Sequence, residues 1–376
     1  MSDISVKIVQ SHRDLKRFIT MPWAIYRNDP NWIPPLYLEK RLQLSSTNPY
    51  FKHAKARFWI AYKKGRPVGR ISAQIDSLYL DRYKNKDGFW GMLESIDDQE
   101  VFTILLEIAG SWLRAKGMKR MLGPFNLSIN QECGLLVNGF EYPPFFMMPH
   151  NPPYYSNRLK ELGHKKAKDL IAYLIKKDRD TIEQIQKILG RRFGNLKTRS
   201  LDKKYLDREL QSIFSIFNDA WSGNWGFVPF TKDEYSNLGK SISHVASPNL
   251  IRIAEVHEEP VGFIVLLPNL NEIIRDMNGR LFPLNWLKLL WRLRFHRFTS
   301  GRVLLMGVLR KHQNSLLGAA VSLSLIRDVM KEILDSSMTQ IELSWILEDN
   351  IAMRGIIEGL GAKDYKTYRI FEKIIV

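Results

Sequence analysis

VLLMGVLRKHQNSLLG, Val303 to Gly318, opens a stretch running to Gly361 whose reading decides the fold. Val303–Leu309 is a short apolar run expected as a buried strand, and it runs straight into the cationic turn Arg310-Lys311-His312-Gln313-Asn314-Ser315. From Leu316 to Leu334 apolar residues return at helical spacing (Leu316, Ala320, Leu323, Val329, Met330, Ile333), with Asn314 or Ser315 placed to cap the first turn. Gln340–Ile346 is expected as a second strand, after which Glu348-Asp349-Asn350 starts a second helix that Gly361 stops. A strand feeding a helix in this way leaves the first helical amides unpaired. Those amides, with the positive end of the helix dipole, attract phosphate. The same order also occurs as a generic α/β packing unit.

The rest of the chain sets bounds on that reading. At 376 residues it is long enough for two domains of ordinary size, each with its own core, and 45% hydrophobic content argues against disorder. The single cysteine, Cys133, excludes an internal disulfide and a cysteine-based zinc site, and fits a reducing cytoplasm. The eight histidines are scattered without paired spacing, so no metal site is expected. Asp3, Lys7 and Gln10 interrupt any apolar core a signal peptide would need, and no window has the apolar length of a membrane span. A net charge of +17 implies an anionic partner: coenzyme phosphates, nucleic acid or an anionic membrane face. From Met277 to Arg327 there is no Asp or Glu, against nine Lys or Arg.

Residues 1–178 are expected to form one mixed α/β unit. Ile4–Val9 is its first strand, Leu15–Arg27 a helix, Phe58–Ile71 a hairpin turning at Lys64-Gly65, Gly88–Ser95 a strand and Gln99–Lys116 a helix. Ile251–Ile264 matches the hairpin at a constant offset of about 193 residues, including its Ile-Ala and Pro-Val-Gly steps, so 179–376 reads as a second copy of one fold. Thr181–Leu189 and Arg191–Asn195 look like a basic linker between them. Tyr205–Trp221 is an amphipathic helix leading into Trp221-Ser222-Gly223-Asn224-Trp225-Gly226-Phe227. There Trp221, Trp225 and Phe227 could wall an elongated apolar ligand or seal the core. Within the insertion 268–302, residues 284–298 (LNWLKLLWRLRFHRF) combine Leu, Trp and Phe with Lys288, Arg292, Arg294 and Arg297. That composition suits a helix lying on an anionic membrane surface, or an ordinary packed helix with solvated arginines.

AWSGNWGFVPFTKDE, NLNEIIRDMNGRLFP and the closing ELSWILEDNIAMRGIIEGLGAKDYKTYRIFEK resemble a bacterial group of tandem GNAT-like proteins that includes bacterial ceramide synthases. GRISAQID and GPFNLSINQECGLLVNGFEYPPFFMMPHNPPYY in the first half resemble the same group. The resemblance implies an α/β chain (α+β, mixed sheets) of two tandem GNAT folds. It also implies an enzyme that transfers an acyl group from acyl-coenzyme A, as co-substrate, to an amine, with a long-chain lipid-like amine as a candidate acceptor.

GNAT proteins hold the coenzyme diphosphate on a Gln/Arg-x-x-Gly-x-Gly/Ala turn. Here Gln313-Asn314-Ser315-Leu316-Leu317-Gly318 keeps the outer anchors, but Leu316 stands where a glycine is usual, and a side chain there would crowd the backbone. The expected coenzyme contacts are Val308, Leu309, Arg310, Lys311, Gln313, Asn314, Ser315, Leu317, Gly318 and Ala319, with Asn350. Glu348 is the expected base that keeps the amine neutral. The family's acidic tyrosine would fall at Ile357, so Tyr365 and Tyr368 are the replacements. In the first half Glu94, Asn130, Glu132 and Tyr154 form a second polar set that could supply the acceptor's walls. The turn there, Ile96-Asp97-Asp98-Gln99, is acidic and would repel phosphate. Alternatives are a tandem GNAT that draws its acyl group from charged tRNA, and a non-catalytic adaptor. Pure nucleic-acid binding lacks a recognisable reading module.

Overall fold

The computed structural model describes residues 3–190 and 195–376. Thirteen strands are β1 (Ile4–Ile8), β2 (Ala54–Lys63), β3 (Arg66–Asp76), β4 (Asp87–Ser95), β5 (Arg120–Gly123), β6 (Leu135–Asn138) and β7 (Lys165–Lys176), then β8 (Leu196–Ser200), β9 (Ile251–Val256), β10 (Glu259–Pro268), β11 (Ser300–Val308), β12 (Gln340–Leu347) and β13 (Lys363–Ile374). They belong to two compact units. The first comprises Met1–Leu170, Ile273–Leu290 and Lys366–Val376, and the second Ile171–Glu272 and Trp291–Tyr365. The passage from one to the other at Leu170 lies close to the break expected at 178, but part of the 268–302 insertion and the closing strand pack with the first unit.

In the first unit the strand order is β1-β2-β3-β4-β5-β13, with β6 also pairing β13. In the second it is β12-β11-β10-β9-β8. Within each of these orders the pairings are antiparallel except at one place, where β4 runs parallel to β5 and β11 parallel to β12. Long helices supply the crossovers that a parallel pair requires: Gln99–Ala115 in the first unit and Leu316–Leu334 in the second. The repeat read from the two hairpins is therefore a repeat of topology. Their turns agree too, with positive φ at Lys64 and Gly65 and again at His257 and Glu258, the conformation a tight two-residue hairpin demands.

Helix Leu316–Leu334 packs Ala320, Val321, Leu325, Val329, Met330 and Ile333 into the core of the second unit, against Ile264, Leu266 and Ile341 of its sheet. Ser315 caps its start, its hydroxyl accepting from the Gly318 amide. One position departs from the sequence pattern: Leu316, in the first turn, lies ahead of the core and is 83% exposed. The expected linker over Thr181–Leu189 is instead a helix, Arg179–Leu189, capped by Asp178 and burying Ile182, Ile185 and Leu189. Three apolar residues at helical spacing outweigh the surrounding charge. Residues 191–194 of that expected linker lie outside the described residues.

Truncating Leu325 to Ala should cost roughly 2–5 kcal/mol of unfolding free energy, while Leu316→Ala on the same helix should stay within about 0.5 kcal/mol of wild type. Denaturant titration of both variants checks this.

Candidate functional site

The parallel ladder between β11 and β12 pairs Ser300 with Gln340 through Val303 with Leu343, and then stops. On its other edge β11 stays paired with β10 as far as Val308 opposite Gly262. One side of Leu305–Val308 is thus held, past a register shift at Leu304, while the other is released from its neighbour. A cavity of about 500 Å³ opens along the released edge, lined by Val303, Leu304, Met306, Gly307 and Val308 and by Leu343–Leu347. That volume lies within the ordinary range for a small-molecule site.

One end of the cavity is closed by the turn after β11 and by Gln313, Asn314, Ser315, Gly318 and Ala319. Arg310–His312 forms a single 3-10 turn. The Gln313 side-chain amide locks it, donating to the carbonyls of Ala220 (3.0 Å) and Val308 (2.9 Å). Asn314 takes positive φ, and the chain then enters the helix. Gly318 is required here, because a Cβ would lie 2.1 Å from the His312 carbonyl oxygen. Leu316 faces solvent and is not part of the lining, so it leaves the groove open. The remaining walls include Trp221, Trp225, Trp345, Ile356 and Ile357, with Asp349 and Asn350 at the start of the next helix. The Trp221 indole donates to the Met306 carbonyl (2.9 Å), and its ring meets Trp345 edge-on at 5.7 Å.

Of the residues singled out in the sequence, the fold brings Val308, Gln313, Asn314, Ser315, Gly318, Ala319, Asn350, Trp221 and Trp225 to this cavity. Others lie elsewhere. Arg310 donates its amide to Asp219 (2.6 Å) and its guanidinium to Ser222 (3.1 Å), beside Gly223 on the rim. Lys311 is exposed, 4.0 Å from Glu259. Leu309 and Leu317 pack against the core, and Phe227 is buried in it, so the sealing role holds for that ring. Asn350 caps its helix, accepting from the Met353 amide. Glu348 is absent from the lining, and its carbonyl accepts from Arg354 (2.8 Å). Tyr365 donates to Glu342. Tyr368 is buried in the first unit, opposite Leu136 in the β6–β13 pairing, and is no part of this cavity.

The corresponding place in the first unit is filled. Its parallel pair also lets go early, after Phe89 opposite Leu122. There the chain following β5 folds back along the released edge: the Phe125 amide donates to the Trp90 carbonyl (2.8 Å), and the Asn126 side chain accepts from the Met92 amide (2.8 Å). A Cβ at Gly91 would fall 1.7 Å from the Phe125 carbonyl oxygen. Glu94 is held by the hydroxyls of Tyr26 (2.7 Å) and Tyr155 (2.9 Å), with Arg70 at 3.5 Å. Burial raises its carboxyl above the usual range despite that arginine. Glu132 pairs with Lys40 (2.8 Å), and Tyr154 donates to the Ser95 carbonyl. Asn130 belongs to the same unit, its amide bonded to Ser128. Asp97 and Asp98, at the acidic turn, are paired with Arg158 and Lys63. Among the described residues no group of His, Cys, Asp or Glu is arranged to hold a metal ion.

The chain is 42% identical over 377 residues to the bacterial ceramide synthase of Caulobacter vibrioides, covering 100% of this chain and 98% of that protein. It is 41% identical over 371 residues to Protein YghO of Escherichia coli, covering 98% and 95%. Its fold is similar to that of a tandem GNAT protein from the clavulanic acid biosynthesis pathway, with a TM-score of 0.56, 11% identity and 99% of each chain covered. It is similar as well to a GCN5-related N-acetyltransferase from Sphaerobacter thermophilus, with a TM-score of 0.53, 10% identity and 100% and 96% covered. No family model matches the chain.

Gly318→Val should lower the unfolding free energy by at least about 1–3 kcal/mol, since the turn must shift to admit the side chain. Gly355→Ala, on an open helical face with nothing within 4 Å, should be neutral or stabilising by up to about 1 kcal/mol. Thermal or denaturant unfolding of the two variants tests the difference.

Proposed function

Since the chain belongs to the bacterial ceramide synthase-like group of tandem GNAT acyltransferases, we propose that it transfers an acyl group from a coenzyme A thioester to a lipid-like long-chain amine at an anionic membrane surface. The observation that carries this reading is the open slot between β11 and β12, with a helix start at one end and a tryptophan wall along its length. The residues fit such a donor. Ser315 occupies the Gly318 amide, but the amides of Leu316 and Leu317 fall where the helix's own ladder cannot reach and are suited to a diphosphate. Arg310 adds positive charge beside Gly223 on the rim, and Lys311 is exposed on the same turn. Main-chain groups on the released edge near Val308 would polarise a thioester carbonyl. Trp221, Trp225, Trp345 and Ile356 offer apolar surface to an acyl chain.

A membrane surface is favoured by the helix Asn285–Phe295, none of whose residues is buried. Phe282 (72% exposed), Leu284 (69%), Trp291 (62%) and Phe295 (61%) stand out from it or just before it. A soluble protein rarely shows so many large apolar side chains together unless something covers them. Arg280, Arg292, Arg294 and Arg297 accompany them in a stretch without acidic residues, which favours an anionic lipid face as the partner. Among the described residues no helix is long and apolar enough to cross a membrane, so this contact would be one of lying on the surface.

Arg310→Glu/Lys311→Glu should weaken palmitoyl-coenzyme A binding about tenfold or more by calorimetry; unchanged binding contradicts the diphosphate site. Co-sedimentation with phosphatidylglycerol vesicles should exceed that with phosphatidylcholine and fall about tenfold in Trp291→Ser/Phe295→Ser. Equal binding to both vesicles would remove the membrane part of the reading.

A further inference from the structure

The second unit contains a fully buried carboxylate that none of the roles above uses. Glu342 lies on β12 directly opposite Arg302 of β11. A buried charge is costly unless it is paired and hydrogen-bonded. Here the Arg302 guanidinium stands 3.4 Å from one carboxylate oxygen, Ser344 donates to that oxygen, and Tyr365 donates to the other. An ordinary cross-strand ion pair would need no more than this. What sets the group apart is the position of Ser344. It is the first residue of β12 past the end of the parallel ladder, and it lines the cavity beside Trp345.

The direction of the Ser344 hydrogen bonds follows from the chemistry of the partners. A guanidinium can only donate, so the Arg302 Nε–H, 2.8 Å away, is accepted by Ser344 Oγ. The hydroxyl's own hydrogen is then committed to the Glu342 carboxylate. Residues i and i+2 of a strand share a face, which puts the hydroxyl and the carboxylate in line from the cavity wall inward. The hydroxyl is thus polarised toward a proton acceptor that water does not reach.

We propose that Ser344 is a catalytic residue of the acyl transfer and that Glu342, positioned by Arg302 and Tyr365, is the proton acceptor behind it. This rests on the acyl-transfer reading given above. The acceptor nitrogen forms its bond to the acyl carbon as the carbon–sulfur bond breaks and the electron pair leaves with sulfur. The proton lost from nitrogen goes to Ser344 Oγ, and the hydroxyl proton of Ser344 passes to Glu342. Return of that proton through the same hydroxyl to the thiolate gives the free thiol and restores the carboxylate. Glu348, which does not line the cavity, has no part in the relay.

The test uses the full chain with palmitoyl-coenzyme A as donor and sphinganine as acceptor, following thiol release. Ser344→Ala should lower kcat about 10²-fold or more, with both KM values within about threefold. Ser344→Thr, which keeps the hydroxyl, should recover activity to within about fivefold of wild type. Glu342→Gln should show a loss similar to Ser344→Ala, and the double variant should be no worse than the poorer single one, as for residues acting as a unit. If Glu342→Gln fails to fold, the Ser344 pair decides: kcat within about threefold of wild type in Ser344→Ala, or a Ser344→Thr no better than Ser344→Ala, overturns the proposal. A wild-type protein that binds palmitoyl-coenzyme A yet releases no thiol with sphinganine or other long-chain amines overturns the acyl-transfer reading itself, and the relay with it.

Discussion

The cavity of the second unit depends on two parallel strands that pair for only four residues. From Ser300 to Val303 the ladder with β12 holds the strands together, and beyond it β11 is paired with β10 alone, its register shifting at Leu304. Released main-chain groups must find partners or face a ligand, because unpaired amides and carbonyls are costly in a dry interior. The first unit resolves the same problem internally, laying Phe125 and Asn126 along the parted strand. In the second unit the edge borders a cavity instead. A duplicated topology has therefore diverged into one filled slot and one open slot.

Much of the architecture was legible because its signals are local. The helix Leu316–Leu334 has the bounds its spacing dictates, and Ser315 caps it as its position after an apolar strand suggests. The hairpin repeat could be read because a tight turn and its flanking apolar residues leave a fixed pattern. Where charge and periodicity conflicted, periodicity governed: Arg179–Leu189 is a helix despite its basic surroundings. A leucine at position 316 would crowd the phosphate turn if it pointed inward, but a side chain at the first helical position can swing outward, and it does.

The pairings that escaped the sequence are those between distant residues. Glu348 drew notice because it sits beside a helix start, whereas Glu342 looked like one charged residue in an apolar strand. Its significance comes from Arg302, forty positions earlier, and from Tyr365 beyond the next helix. Neither pairing leaves a mark in local spacing. Phe227 and Tyr368 misled for a related reason, since composition shows that aromatics are present but not whether they face a ligand or the core. The signal available for Ser344 was alternation along β12, which puts it on the face of Glu342.

The central claim is that acyl-coenzyme A occupies the slot between β11 and β12 with its diphosphate at the start of helix Leu316–Leu334. Amide hydrogen exchange with and without palmitoyl-coenzyme A tests it most directly. Slowed exchange at Leu304–Val308, Asn314–Ala319 and Ser344–Leu347, with the equivalent first-unit segment Trp90–Glu94 unchanged, is the predicted result. Protection confined to the first unit or to the exposed helix Asn285–Phe295, with those three segments unaffected, would contradict it.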